Sequence, residues 1–187
     1  MPFGQGEVQV RAGVEADLPA LTDLYNHYIR ETPITFDLEP FTPEERRPWL
    51  LSHPQDGPHR LLVAQLPADR THHTPNGPLK EQVAPLLGYA TSSAFRPKAA
   101  YDPSVEVTVY CAPQAAGRGV GTLLYEALFE ALAEEDVHRA YAGITQPNEA
   151  STRLHTRFGF RHIGTYTEVG RKFGRYWDVA WYQKDLG

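Results

Sequence analysis

The sequence predicts a single α/β domain in which a mixed sheet carries helices on both faces. Segments with the two-residue apolar period of strands and segments of helical period follow one another in the order β-α-α-β-β-β-α-β-α-β-β, which is typical of such a sheet. The length of 187 residues suits one domain with a sizeable core. No repeat or linker interrupts the pattern, so we expect one domain over residues 1–187.

The first part of the chain predicts a strand followed by two helices. Glu7–Arg11 alternates as a strand does, and Ala16–Ile29 carries leucines and tyrosines at helical spacing. A second helix is predicted to begin after Thr42, because Pro43 occupies the first turn and Glu45 lies three residues beyond this N-cap. These residues form the signature of a capping box.

Two further strands, Arg60–Leu66 and Leu86–Ser93, are predicted to be antiparallel neighbours. The segment 67–85 between them is rich in Pro, His, Asn and Gly and is too long for a tight hairpin, so we expect a mobile surface loop. His72 and His73 lie within it, but no further ligand has the spacing that a metal site needs. A solvated loop is therefore favoured there, and no metal is expected in the chain.

The stretch Val105–Leu132 combines a strand, a glycine-rich loop and a helix, and the rest of the chain is organised around it. Gly117, Gly119 and Gly121 would let an anion approach backbone N–H groups at the positive end of the helix dipole. Thr122 follows without a lysine and the glycine spacing is G-x-G-x-G, so neither a Walker loop nor a dinucleotide fingerprint is predicted. The loop alone leaves two alternatives open, a pyrophosphate site and a plain strand-to-helix turn.

The remainder of the chain predicts a strand, a helix and a final strand pair. Arg139–Gln146 is the strand, and the helix that opens at Asn148 stops at Gly159. His162–Glu168 and Tyr176–Lys184 are the last two strands, joined through a segment rich in Gly, Arg and Lys.

Charge and composition exclude several classes of function. The net charge of −5 argues against a large nucleic-acid surface or a polybasic membrane surface. No apolar run approaches the roughly 18 residues of a membrane-spanning helix, and the N-terminal residues do not have the pattern of a signal peptide. The one cysteine, Cys111, leaves no disulfide framework and no cysteine-based zinc site, so a cytoplasmic protein is expected.

Several motifs in order resemble the GNAT acetyltransferase superfamily and, within it, the phosphinothricin and methionine sulfoximine N-acetyltransferase group. They are ETPITFDLEPFTPEERRPWL, YATSSAFRPKAAYDPSVEVTVY, VYCAPQAAGRGVGTLLYEAL, NEASTRLHTRFGF and VGRKFGRYWDVAWYQKDL. The resemblance covers nearly the whole chain outside 67–85. It implies a GNAT-like, mostly antiparallel sheet and an enzyme that uses acetyl-CoA to acetylate the amino group of a small amino acid or analogue by direct transfer.

The resemblance also implies the site residues. The acetyl-CoA contacts would be Val109, Tyr110, Cys111, Gly117, Arg118, Gly119, Val120, Gly121, Thr122 and Asn148. The amine contacts would be Phe36, Phe95, Arg96, Pro97, Lys98, Tyr101 and Glu106. One departure is Ala116, where the superfamily usually has Arg or Gln, so a side-chain contact to pyrophosphate is either absent or supplied by Gln114 or Arg118.

Glu106 is the candidate general base. A strand of this kind is normally covered on both faces, and an unpaired carboxylate there is costly to bury. An amine is mostly ammonium at neutral pH and must lose a proton before it attacks a thioester, so a base is required directly or through water. The alternative is a solvent-facing Glu106 on a polar strand face. A backbone N–H near Val109–Cys111 is the candidate oxyanion donor.

His155 shares a helical face with Asn148 and Ser151, whereas Leu154 and Phe158 face the core. His155 occupies the position of a tyrosine that reprotonates the CoA thiolate in many relatives. It is either that acid or a histidine that is satisfied by hydrogen bonds within the fold. Asn148 is either an N-cap, a CoA contact or both.

Other contacts and functions stay open at this stage. Arg96 is expected to bind a substrate carboxylate by a bidentate fork, whereas Lys98 is nearly as well explained as a solvated loop charge. Cys111 is expected to be a small core residue. A homodimer is expected from the resemblance and from the aromatic-rich segment Tyr166–Tyr182. The alternatives are an enzyme that acetylates a protein or peptide, and a CoA-binding module without turnover.

Overall fold

The computed structural model describes residue 3 and residues 7–67 and 84–187. The segment predicted as a loop, 67–85, lies outside the described residues except at its two ends, and so do His72 and His73. The helices and strands follow the predicted order. They are β1 (Gln9–Ala12), α1 (Leu18–Glu31), α2 (Pro43–Leu51), β2 (Leu61–Gln65), β3 (Leu86–Ala94), β4 (Ser104–Cys111), α3 (Val120–Leu132), β5 (Arg139–Thr145), α4 (Glu149–Arg157), β6 (Arg161–Lys172) and β7 (Arg175–Asp185).

The seven strands form one sheet in the order β1-β2-β3-β4-β5-β7-β6. Every neighbouring pair is antiparallel except β4 and β5, which are parallel. The β4–β5 pairing covers only Ser104–Glu106 against Arg139–Tyr141, although β4 continues to Cys111 and β5 to Thr145. The two strands therefore part beyond Glu106 and leave an opening in the middle of the sheet.

The helices lie on opposite faces of this sheet, as predicted. On one face, α1 and α2 cover an aromatic layer in which the Tyr110 ring lies 4.9 Å from that of Tyr28, and Trp49 lies 5.7 Å from Tyr89. On the other face, α3 packs so closely that a Cβ at Gly88 would lie 3.3 Å from Leu124 and 2.7 Å from the carbonyl oxygen of Tyr110. Glycine is needed at this position because the backbones approach closely.

The predicted start of α2 is confirmed at atomic level. The Thr42 hydroxyl accepts a hydrogen bond from the N–H of Glu45 at 3.3 Å, and the Glu45 carboxylate accepts one from the N–H of Thr42 at 2.8 Å. These two bonds satisfy donors that a helix start otherwise leaves unpaired.

The last two strands are longer than the sequence predicted. They run to Lys172 and from Arg175, so that the turn contains only Phe173 and Gly174, and both of these have positive φ. Gly170 does not end the strand, because the Phe36 ring packs directly against it and a Cβ there would lie 2.2 Å from that ring. The hairpin therefore closes over the segment between α1 and α2. No helix among the described residues is both long and apolar enough to cross a membrane.

Candidate active site

The glycine loop gives α3 an open N-terminus. Gly117 and Gly119 have φ of +72° and +90°, a region that side-chain-bearing residues rarely adopt, and Gly119 is the N-cap of the helix. A Cβ at either residue would meet nothing within 4 Å, so the loop borders open space. This arrangement fits the pyrophosphate of acetyl-CoA, because an anion can reach the backbone and the positive end of the helix dipole.

Arg118 and Ala116 flank this loop. The Arg118 guanidinium lies 3.7 Å from the centre of the Phe3 ring, and the Arg118 carbonyl accepts a hydrogen bond from the N–H of Phe3. Ala116 and Gln114 are exposed. The Arg118 side chain thus belongs to the glycine loop and packs on Phe3.

The end of β4 lies beside the loop and along the opening between β4 and β5. A Cβ at Gly121 would lie 3.6 Å from the Cys111 sulfur and 3.9 Å from Val109, so strand and helix pack tightly here. The Tyr28 hydroxyl donates a 2.6 Å hydrogen bond to the Cys111 carbonyl. Burial raises the pKa of the Cys111 thiol to about 11, which keeps it protonated at neutral pH. These observations suit the expected packing role rather than a nucleophile.

Glu106 lies where β4 and β5 part. It is half-buried, paired with Ser93 of β3 on one side and with Tyr141 of β5 on the other. Burial raises the pKa of its carboxyl, and the positive charge of Arg96 opposes this shift. A carboxylate whose basicity is raised by desolvation is suited to accept a proton from an ammonium group.

Two cavities lie on the sheet face that Glu106 shares. The larger, of about 240 Å³, is lined by Tyr25, Asp37, Phe41, Glu45, Arg46, Trp49, Tyr89, Thr91, Ser93, Thr108 and Tyr110. The smaller, of about 140 Å³, is lined by Phe95, Arg96, Tyr141, Ile163, Gly164, Tyr166 and Trp181. Glu106 itself lines neither cavity, but its strand partner Ser93 lines the larger and its strand partner Tyr141 lines the smaller, so the residue lies between them in the sheet.

The structure brings some of the predicted amine contacts together. The Phe95 ring stacks on Tyr141 with 4.3 Å between centroids, Arg96 lies 4.3 Å above Phe95, and the Tyr101 ring lies 6.0 Å away from it. Trp181 lines the smaller cavity with Phe95 and Arg96, and its indole nitrogen is buried and has no hydrogen-bond partner among the described residues.

Three other predicted amine contacts lie elsewhere. Pro97 and Lys98 are exposed and line neither cavity. Phe36 packs on Gly170 at the hairpin and also lines neither cavity. Its apolar contact is thus with the protein.

His155 is buried, with 3 % of its surface exposed, and both of its ring nitrogens have partners within the fold. Nδ1 lies 2.8 Å from the Ser151 carbonyl, and Nε2 lies 2.8 Å from the Tyr125 hydroxyl. Because a carbonyl only accepts, Nδ1 carries the proton and Tyr125 donates to Nε2. Burial lowers the pKa of His155, so it is neutral at pH 7. Of the two alternatives for His155, this geometry favours a histidine that is satisfied by hydrogen bonds within the fold over a general acid.

Asn148 caps α4 as predicted, since its side-chain oxygen accepts a hydrogen bond from the N–H of Ser151 at 3.1 Å. Among the residues whose positions the structure gives, no group of three or more His, Cys, Asp or Glu is close enough to hold a metal ion.

The sequence reasoning missed most residues of the larger cavity. Thr91 and Thr108 could have been found, because strand residues two apart share a face and Thr108 is two residues beyond Glu106. Arg46 gave no such signal. It is 5 % exposed and stacks on Tyr25 and Trp49, at 4.2 and 3.9 Å from their ring centres, and this burial depends on rings from two helices.

The fold and the site together define an acetyl-CoA-dependent acyltransferase of the GNAT type, and comparison with known proteins agrees. The model of the Acetyltransferase (GNAT) family matches residues 21–160. The chain is 68% identical over 183 residues to a phosphinothricin N-acetyltransferase of Streptomyces coelicolor, which covers 98% of this chain and 99% of that protein. It is 31% identical to an L-methionine sulfoximine/L-methionine sulfone acetyltransferase of Pseudomonas aeruginosa over 94% of this chain and 92% of that protein.

A solved structure supports the same assignment. The phosphinothricin acetyltransferase of Sinorhizobium meliloti, in complex with acetyl-CoA, superposes with a TM-score of 0.83 at 27% identity, over 97% of this chain and 89% of that one. The chain belongs to the GNAT acetyltransferase family. The predicted family, fold class and enzyme class are thereby confirmed.

Proposed function

We propose that this acetyltransferase acts on the α-amino group of a small amino acid or analogue of the phosphinothricin or methionine sulfone type, with Glu106 as the general base. The observation that carries the proposal is the position of Glu106. It is half-buried at the point where β4 and β5 part, it lies between two cavities, and burial raises the pKa of its carboxyl. The names of the relatives supply the substrate type.

Acetyl-CoA supplies an activated acetyl group as its thioester. Val109, Tyr110 and Cys111 would line its acyl end, and a backbone N–H of these residues would stabilise negative charge on the acyl oxygen. The residues that would hold its pyrophosphate and arm are Gly117, Arg118, Gly119, Val120, Gly121, Thr122 and Asn148. Their support is the open, positive-φ glycine loop at the start of α3.

The smaller cavity would bind the acidic group of the substrate. Arg96 offers a guanidinium fork, and the buried indole N–H of Trp181 is a donor that an acceptor on the substrate would satisfy. Phe95 supplies an aromatic wall, and Tyr101 would support the Phe95 ring from outside the cavity. Pro97, Lys98 and Phe36 would act at a distance from the two cavities, by shaping the loop and the hairpin.

His155 would hold α4 against α3 through Tyr125, and its only ring proton is donated to the Ser151 carbonyl. A role as the acid that returns a proton to the CoA thiolate would need this pair to rearrange.

A homodimer is part of the proposal. The β6–β7 hairpin exposes a set of large apolar side chains, each with 47 to 56 % of its surface accessible: Ile163, Tyr166, Val169, Phe173 and Tyr176. Such a surface is typical of a protein interface. Light scattering at micromolar concentration should return a dimer, and Phe173→Asp should shift it towards monomer, whereas Thr165→Asp on the same strand should have less effect. A monomeric wild type would contradict this.

We also propose a cytoplasmic location, in keeping with a single unpaired cysteine.

The experiment is a thiol-release screen with acetyl-CoA. Phosphinothricin, methionine sulfone, methionine sulfoximine, ordinary amino acids and a peptide with a free N-terminus would be offered as amines. We expect turnover to be fastest with the first three. Faster turnover with the peptide would indicate protein acetylation instead, and absence of thiol release with every amine would indicate a binding module.

A further inference from the structure

Ser93 is a polar residue that the mechanism above does not use, and it lies beside Glu106. The two residues are directly opposed on β3 and β4, so their side chains share a sheet face with Cβ atoms about 4.5–5.5 Å apart. Ser93 also lines the larger cavity. Its hydroxyl is therefore within reach of any group that Glu106 binds from that side.

The Ser93 hydroxyl is held by a buried histidine. His53, with 7 % of its surface exposed, places Nε2 at 2.8 Å from the Ser93 oxygen and Nδ1 at 2.7 Å from the Trp49 carbonyl. A carbonyl can only accept, so in the neutral ring Nδ1 carries the proton and Nε2 is the acceptor. The Ser93 hydroxyl must then donate its proton to His53, and both lone pairs of the Ser93 oxygen stay available to a donor in the cavity.

We propose that Ser93 is a second hydrogen-bond acceptor for the ammonium group of the amine substrate, beside Glu106, and that His53 is the positioning residue that keeps the Ser93 hydroxyl in the accepting orientation. This inference rests on the proposed function, because it assumes that the amine binds at Glu106. It adds a specific chemical demand, since an ammonium group has three N–H donors and Glu106 alone does not satisfy them all.

The orientation depends on His53 being neutral. Burial lowers its pKa below the usual value; the hydrogen bond to the Trp49 carbonyl opposes this shift, and the nearby charges of His59 and of Arg46 on α2 add to it. Below this pKa the ring would donate to Ser93 through Nε2. One lone pair of Ser93 would then be occupied, and a positive charge would face the ammonium group. The tighter binding of the amine that Ser93 provides should therefore be present at neutral pH and disappear in acid.

The test compares Ser93→Ala, Ser93→Thr and Ser92→Ala, with L-phosphinothricin or methionine sulfone as the amine. Loss of a hydrogen bond to a charged group should raise the KM for the amine roughly tenfold in Ser93→Ala, while the KM for acetyl-CoA is unchanged. Ser93→Thr keeps the hydroxyl and should largely restore the value. Ser92 is the matched control. On the other face of the strand, its buried hydroxyl donates to the Pro58 carbonyl and accepts a hydrogen bond from the Arg60 N–H.

The role of His53 is tested by a double-mutant cycle. His53→Leu should raise the amine KM in wild type but not in the Ser93→Ala background, because it acts only through Ser93. The KM ratio of Ser93→Ala to wild type should also shrink towards one below the pKa of His53. An unchanged amine KM in Ser93→Ala, or equal effects of His53→Leu in both backgrounds, would overturn the inference. If Glu106→Gln also keeps full turnover, the proposed function itself has failed; if Glu106→Gln is impaired, only the role of Ser93 has.

Discussion

Replacement of Glu106 by Gln tests the proposed mechanism most directly. Glutamine keeps the shape of the side chain but cannot take a proton from the ammonium group. Removal of a general base usually lowers turnover by about 10²–10⁴-fold. In a free amino acid the adjacent carboxylate stabilises the ammonium form, so the α-amino pKa lies above that of a peptide N-terminus and only a small fraction is free amine near pH 7. The variant can use only this fraction, so its turnover should recover partly as the pH rises towards 9.

The burial of Glu106 adds a second, independent expectation. A carboxyl whose pKa is raised in the folded protein contributes stability below its unfolded pKa and loses it as the pH rises through the folded pKa. Glu106→Gln should therefore raise the melting temperature at pH 7 but not at pH 4. A variant that is more stable and much slower would show that the carboxylate is retained for chemistry.

The assay is steady-state thiol release from pH 6 to 9, together with the melting shift that acetyl-CoA induces. Glu126→Gln makes the same chemical change at an exposed position of α3 and should behave as wild type. Acetyl-CoA should stabilise Glu106→Gln as much as wild type. A raised KM with turnover largely kept would mean that Glu106 only positions the ammonium group. Wild-type kcat/KM across the whole pH range would refute the mechanism.

Three other predictions concern the loop, the hairpin and a buried histidine. Gly119→Asp should abolish the rise in melting temperature that acetyl-CoA causes. Gly119→Asn introduces a side chain of the same shape as Asp without its charge and tolerates positive φ, so it should keep most of this rise. Equal rises in the two variants would mean that the pyrophosphate binds elsewhere. Gly170→Ala should cost about 1–3 kcal/mol in urea unfolding because Phe36 must move, while Gly164→Ala, where a Cβ meets nothing within 4 Å, should cost less. Because burial lowers the pKa of His155 below 6.5, the free energy of unfolding of the wild type should fall as the pH drops below that value, and it should fall less steeply in His155→Gln. Parallel plots of unfolding free energy against pH for the two proteins would contradict the burial argument.

The order of elements could be predicted because its signals are local. A capping box such as that of Thr42 and Glu45 is contained within four residues, and a strand such as β4 shows its period in a few residues more. The glycine loop could be predicted for the same reason, since Gly117 and Gly119 do adopt the positive φ that glycine allows.

What the sequence did not reveal depends on residues far apart in the chain. Gly170 resembles a strand breaker, yet the strand continues because Phe36 fills the space above it. The larger cavity depends on Arg46, whose burial requires rings from both α1 and α2. The Tyr125 partner of the His155 Nε2 could not be assigned until α3 and α4 were placed side by side. Periodicity within one segment contains none of this information.

Glu106 lies on a fully paired part of β4 and also at the edge of the opening between β4 and β5. Its backbone is paired with strands on both sides, which fixes the point from which the side chain extends. It is also the last residue of β4 that β5 covers, so the opening begins at its side chain. Arg96 and Phe95, in contrast, follow the end of β3 and lie on a connecting segment, where sequence changes disturb the sheet least. In the proposed mechanism the base therefore lies on a paired strand of the sheet, whereas Arg96 and Phe95 of the smaller cavity lie on a connecting segment.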